Sequence, residues 1–203
     1  MSHGGVAGIV LAGGRSRRMG ADPKALEALG GGTLLDRVIS RIQPQVATLA
    51  LNVALADDAL EATALSQVPD RQASRRGPLA GLDAGLAWLP PEQDWLAVVP
   101  CDAPFLPLDL VGRLLAAAGD AQVVAASEDG QLHPTFSLWH RSLASTVSEA
   151  LAADDGAGLV HLFRRLPHRI QGFALRDPSP FFNVNTPEEL SRARELVAAE
   201  GQA

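Results

Sequence analysis

The sequence predicts an α/β fold: a three-layer, Rossmann-like arrangement around a mostly parallel central sheet. Three observations carry this. Short apolar runs that read as strands alternate with segments of helical period. The first run, Val6–Ala12, is apolar throughout and ends in Gly13-Gly14, as expected of a strand covered on both faces. The length of 203 residues suits one such domain and leaves little room for a second.

The elements follow in order. Val6–Ala12 is the first strand. Thr33–Ile42 places Leu34, Leu35, Val38, Ile39 and Ile42 at helical spacing, with Thr33 as N-cap. Thr48–Ala54 is the second strand, and Asp57–Leu65 reads as a helix. Gly77–Leu89 begins as a tight turn and continues as a helix. Trp95–Pro104 is a strand that runs into a proline-bounded loop, followed by a helix over Leu108–Ala118 and a strand over Ala121–Ser127. The order is less regular after that. Pro134–His140 alternates like a strand, Ser142–Ala152 and Leu159–Leu166 read as helices, and His168–Leu175 reads as a strand. In the last helix, Asn185–Glu200, Thr186 caps, Pro187 takes the first position and Glu189 closes a capping box.

Composition narrows the function classes. Seventeen basic residues face twenty-three acidic ones, a net charge of −6, which argues against nucleic acid or a membrane surface as partner. No apolar stretch reaches the ~18 residues of a spanning helix. The N-terminus lacks a signal-peptide pattern, and the single cysteine, Cys101, permits no internal disulfide, so a cytoplasmic location is expected.

Against this acidic background, positive charge gathers behind the first strand. Leu11-Ala12-Gly13-Gly14 is followed closely by Arg15, Arg17, Arg18 and Lys24, the chain's one lysine. Ligands of parallel sheets bind beyond the carboxyl ends of strands. Glycines there let backbone N–H groups approach phosphate, and the cations neutralise oxygens that the amides do not reach. The loop is neither a Walker A motif nor Gly-x-Gly-x-x-Gly. It therefore reads as a site for a phosphate-rich ligand of another kind. After the strand that begins at Trp95, Asp102 supplies a carboxylate in Cys101-Asp102-Ala103-Pro104-Phe105-Leu106-Pro107, suited to a Mg²⁺ ion shared with phosphate oxygens or to capping the turn. Cys101 has no nearby His or Asn in sequence that would make it a nucleophile. The five histidines show no zinc-type pair.

The stretch LAGGRSRRMGADPKAL resembles the signature loop of nucleotidyltransferases. In its Gly-Gly form it most resembles the molybdenum cofactor guanylyltransferase, MobA-like family. CDAPFLP matches that family's acidic motif, GPLAG its nucleotide-side turn, and FFNVNTPEEL its Asn-x-Asn-Thr-Pro segment. Two departures are visible: Pro23 separates Asp22 from Lys24, and Ala157-Gly158 stands where relatives often carry an arginine.

The resemblance implies a single nucleotidyltransferase domain over 1–203. Its nucleotide part covers about 6–107 and its acceptor part about 108–190. It implies transfer of GMP from GTP to the terminal phosphate of molybdopterin, with Mg²⁺ as cofactor. Lys24, Arg18 and Asp102 would be catalytic, with Asp102 the metal ligand. Leu11, Ala12, Gly13, Gly14, Lys24, Asn52, Asp70, Gly77, Pro78 and Leu79 would bind the nucleotide. His133, Asn183 and Asn185 would meet the acceptor. Molybdoenzymes or other cofactor-biosynthesis proteins are further partners it leaves open. The alternatives are a cytidylyltransferase or sugar- or alcohol-phosphate nucleotidyltransferase of the same fold, and a non-catalytic adaptor that delivers cofactor.

Overall fold

The computed structural model describes residues 5–13, 24–72, 77–153 and 158–200. Seven of its strands form one sheet: β1 (Val6–Leu11), β4 (Thr48–Val53), β5 (Ser66–Pro69), β6 (Trp95–Pro100), β7 (Val123–Glu128), β8 (Gln131–His140) and β9 (His168–Phe173). The order across it is β5-β4-β1-β6-β8-β7-β9. Two two-residue strands, β2 (Ala28–Leu29) and β3 (Gly32–Thr33), make a separate hairpin. The main sheet is parallel except for β8, which runs antiparallel to both neighbours.

Among the described residues the α-helices packed around it are α1 (Leu34–Ile42), α2 (Pro78–Trp88), α3 (Leu110–Ala117), α4 (Ala144–Ala153), α5 (Leu159–Arg165) and α6 (Pro187–Glu200). Side-chain alternation along β1 sorts the two faces. Val6 and Val10 pack with Leu35, Val38 and Ile42 of α1 and Leu110, Val111 and Leu114 of α3. Ala7 and Ile9 pack on the opposite face, with Leu82 and Leu86 of α2, Val147 of α4 and Phe163 of α5. This is the three-layer arrangement that the periodicity predicts. Burying each large aliphatic side chain contributes roughly 1.5–3 kcal/mol. A smaller cluster of Leu29, Leu34, Phe105, Val184, Leu190 and Ala193 seats α6.

Local signals explain the helix boundaries. The Thr33 hydroxyl accepts from Asp36 N at 3.1 Å and the Asp36 carboxylate accepts from Thr33 N at 2.8 Å, a reciprocal cap. Thr186 and Glu189 repeat the device at α6. The expected helix over Asp57–Leu65 is instead a 3-10 run, Asp58–Thr63. It ends at Ala64 with φ +55°, and the chain then enters β5, an edge strand missed in the periodicity because only Val68 in it is buried. The reversal at β8 comes from the Asp129-Gly130 turn, whose φ values of +47° and +76° suit a two-residue hairpin.

Candidate active site

Register decides what meets at the carboxyl rim. Leu11 of β1 lies beside Asn52 of β4 and Pro100 of β6, while Val53 lies beside Pro69 of β5. Asp70, Asn52, Ala12-Gly13 and Cys101-Asp102 therefore form one row. Three strand spacings of ~4.8 Å give that row a span of about 14 Å, enough to lay out an elongated ligand.

The β1 end of the row is close-packed. Ala12 N donates to Asn52 O at 2.9 Å. A Cβ on Gly13 would lie 3.0 Å from Ala54 N, a backbone atom, so only glycine fits without moving the neighbouring strand. Asn52 is buried, and its amide donates to Val68 O at 3.2 Å and to Asp70 Oδ1 at 2.8 Å. Gly81 of α2 closes on the other side: a Cβ there would stand 2.4 Å from Asn52 Oδ1. Asn52 thus sits in a slot between two glycines and holds Asp70 at the rim. Gly77, with φ +101°, turns the chain into α2, and Pro78 takes the first helical position. Leu79 points into the core, so only its main chain faces outward.

At the other end, Lys24 opens a short 3-10 turn, and its side chain is only 4% exposed. Its ammonium donates to Asp102 Oδ2 and to Asn185 Oδ1, both at 2.9 Å. Three residues distant in sequence are thereby brought together. The second Asp102 oxygen, Oδ1, is buried with no hydrogen-bond partner among the described residues. A buried carboxylate oxygen left this way is costly, and it points to a cation or donor that arrives with a ligand. Val184 N donates to Asp102 O at 2.8 Å, tying the C-terminal segment to the acidic loop. Glu189 holds the main-chain N–H groups of Asn185 and Thr186 at 2.6 and 2.9 Å. Cys101 is a spectator: burial first, then the Asp102 carboxylate, push its thiol pKa up to about 12.

His133 lies further along, in β8. Its ring stacks on Phe181 with centroids 4.5 Å apart. The register of β8 against β7 slips there, where Ala125 pairs with Ser137 but Ala126 pairs with His133. Burial holds the His133 pKa below its ordinary value, against the opposing field of Glu128. Asn183 Oδ1 and His133 Nε2, like Asp102 Oδ1, are buried without partners among the described residues.

Gly14, Arg15, Arg17, Arg18, Asp22, Arg75, Arg76 and Ala157 lie outside the described residues. Several residues shape the site without any signal in the sequence motifs. Gln45 accepts from Val111 N and donates to Pro107 O, holding the loop behind Asp102. Asp83, 1% exposed in its side chain, binds Arg71 next to Asp70 at 3.2 Å. Glu128 and Ser179 are joined by a short hydrogen bond. A charged residue inside an Ala/Leu helix or at the end of an apolar strand was the only available hint for Asp83 and Glu128.

Gly13, the buried Lys24 and the Asp102 carboxylate are thus set at the carboxyl rim of the sheet's parallel strands. The sequence pattern of the MobA-like NTP transferase domain matches residues 8–170, and the chain belongs to that family. It is 39% identical over 199 residues to a molybdenum cofactor guanylyltransferase of Mesorhizobium japonicum, covering 95% of this chain and 96% of that one. It is 40% identical to one from Rhodopseudomonas palustris, covering 95% and 92%. In fold it matches molybdopterin-guanine dinucleotide biosynthesis protein A from Archaeoglobus fulgidus, with a TM-score of 0.75, 22% identity, and coverage of 95% and 99%. Among the described residues no helix is long and apolar enough to cross a membrane.

Proposed function

We propose that this chain transfers GMP from GTP to the terminal phosphate of molybdopterin cofactor. A phosphate oxygen of the acceptor attacks the α-phosphorus. The new P–O bond forms as the bond from that phosphorus to the β-bridging oxygen breaks, and pyrophosphate leaves with the electron pair. The acceptor phosphate is already an anion near neutral pH, so the chain needs no general base. The names of its relatives support GTP and molybdopterin as the two substrates.

The observation that carries the reading is Lys24 placed between Asp102 and Asn185, with Asp102 Oδ1 left over. Lys24, buried and single, is a compact charge for the leaving phosphates. Arg18 is the expected second cation. The donor set fits Mg²⁺, which takes one or two carboxylates plus phosphate oxygens. Asp102 would hold the ion, and the ion would supply charge neutralisation on the triphosphate. Gly13, Asn52, Asp70 and the Gly77–Leu79 turn would line the nucleoside side, with His133, Asn183 and Asn185 on the acceptor side.

Pyrophosphate release with Mg²⁺ and molybdopterin, run with GTP and CTP in parallel, tests this. Release with GTP alone is expected, with Asp102→Asn slower by about 10²–10³, the loss typical of one electrostatic stabiliser. Release with CTP alone would move the chain to the cytidylyl branch. GTP binding without release would move it to a non-catalytic carrier.

A further inference from the structure

The segment 174–186 links β9 to α6 without helix or strand, yet it carries Asn183 and Asn185. Such a segment is placed only by its anchors. Two lie beside Asp102: the Val184 N–H on the Asp102 carbonyl and the Asn185 side chain on Lys24. A third is Phe181, packed against His133, Phe136 and Phe173 at centroid distances of 4.5, 4.8 and 5.2 Å.

A further anchor is polar and ties the segment to the end of β7. The Ser179 hydroxyl donates to Glu128 Oε2 at 2.5 Å and accepts from Phe181 N at 3.1 Å. Glu128 is the last residue of β7. It pairs in register with Gln131 across the hairpin and with Phe173 of β9, so its backbone is fixed by the sheet. It is 7% exposed and lies beside an aromatic cluster. A carboxylate in such surroundings costs stability unless something uses it. Its other oxygen, Oε1, is buried without a partner among the described residues, as are His133 Nε2 and Asn183 Oδ1. Two of these three atoms, Glu128 Oε1 and Asn183 Oδ1, belong to the elements that the Glu128–Ser179 bond joins, and the third is on the ring that stacks on Phe181, a pattern suited to receiving a ligand.

We propose that Glu128 is a positioning residue for the acceptor substrate: through the Ser179 hydroxyl it sets where Phe181–Asn185 lies against His133 and Asp102. The proposal rests on the guanylyltransferase reading above for the identity of the acceptor. Glu128 acts on the acceptor side only. Its hydrogen bond to Ser179 lies apart from the Asn52–Asp70 slot, where the Asn52 amide donates to Val68 O and Asp70 Oδ1.

The test uses the full chain, with steady-state kinetics in each substrate and fluorescence titration of molybdopterin. Ser179→Ala should raise the KM and the Kd for molybdopterin about tenfold, as for loss of one charge-assisted hydrogen bond, and leave the KM for GTP unchanged. Glu128→Gln keeps an acceptor for the Ser179 hydroxyl and should stay within about threefold of wild type. A bond that only stabilises the fold would lower the melting temperature and leave both KM values alone. That result, or an equal rise in the KM for GTP, overturns the proposal. A wild type that binds molybdopterin without turnover removes the guanylyltransferase reading and keeps this one, provided Ser179→Ala weakens binding. A wild type that binds none overturns both.

Discussion

Alanine at position 81 would place a methyl group 2.4 Å from Asn52 Oδ1 and 2.6 Å from Leu11 Cδ2. Leu11 Cδ2 is the end of a flexible side chain and can turn away. Asn52 cannot do so freely, because its amide is pinned to Val68 O and Asp70 Oδ1. Moving it sacrifices a hydrogen bond to a carboxylate, worth about 1.5–3 kcal/mol, on top of an overpacking cost of about 1–3 kcal/mol. Alanine in a helix interior returns about 1 kcal/mol. The net expectation is a loss of about 1.5–5 kcal/mol, or roughly 3–20 °C in melting temperature at this chain length. The KM for GTP should rise as Asp70 loses its holder. Gly85→Ala is the matched control in the same helix. Its Cβ would meet only side-chain atoms, Leu96 Cδ2 at 2.8 Å, Ile9 Cδ1 at 2.9 Å and Ile9 Cγ2 at 3.2 Å. There the helix gain offsets part of the crowding with no hydrogen bond at stake, and a loss of about 0–2 kcal/mol is expected. Thermal melting and GTP titration on both variants decide the matter. If Gly81→Ala melts no lower than Gly85→Ala and binds GTP like the wild type, the slot around Asn52 is not the constraint described here.

Cys101 should resist thiol reagents in the folded chain at neutral pH and react fully on denaturation, since its thiol stays protonated up to about 12; fast labelling of native protein would contradict its placement. His133, whose pKa burial lowers, accepts a proton less readily folded than unfolded. Stability should therefore fall as pH drops below about 6.5, the unfolded value, and level off below the folded one. The wild type should lose melting temperature relative to His133→Asn over that range, and a gap that does not change with pH would speak against it. Arg71→Ala leaves the buried Asp83 without its ion-pair partner among the described residues. Because Arg71 is 52% exposed, the loss should be about 1–2 kcal/mol in urea denaturation, below the 3–5 kcal/mol of fully buried pairs. Adding Asp83→Leu should restore wild-type stability; a further loss in the double variant would show that Asp83 has another role.

Most of the layer order is legible in the sequence because continuous apolar runs and helical period report burial directly. The elements that deviate do so for local reasons. Ser66–Pro69 is short, lies at an edge and buries one residue, so it carries no alternation to read. Asp57 supplies a helix-like cap, accepting from Ala59 N at 3.0 Å, but the turns it starts stay 3-10. Asp129-Gly130 joins β7 to β8 as a hairpin, with Glu128 paired to Gln131, a turn not included in the expected elements. At the site, Lys24, Asp102 and Asn185 are each conspicuous in their motifs, yet their meeting is a tertiary fact separated by 78 and 161 residues. Glu128, Ser179, Gln45 and Asp83 act through side-chain bonds to residues distant in sequence, which no local pattern encodes.

The bond from Val184 N to the Asp102 carbonyl has a consequence for how the chain is made. Synthesis runs from the N-terminus, and the parallel pairing of β1 with β4 and β6 is available once Pro100 has been added. Once Pro107 has followed, a growing chain already owns Gly13, its lysine and its acidic loop. It lacks the stretch that presses on them, which emerges some eighty residues later. For that interval Lys24 has an aspartate to pair with but no asparagine. On the function proposed above, the half-finished protein would carry the residues of the nucleoside side before Asn183 and Asn185 of the acceptor side exist. Nucleotide capture and phosphate transfer would then be separated in birth order as well as in space.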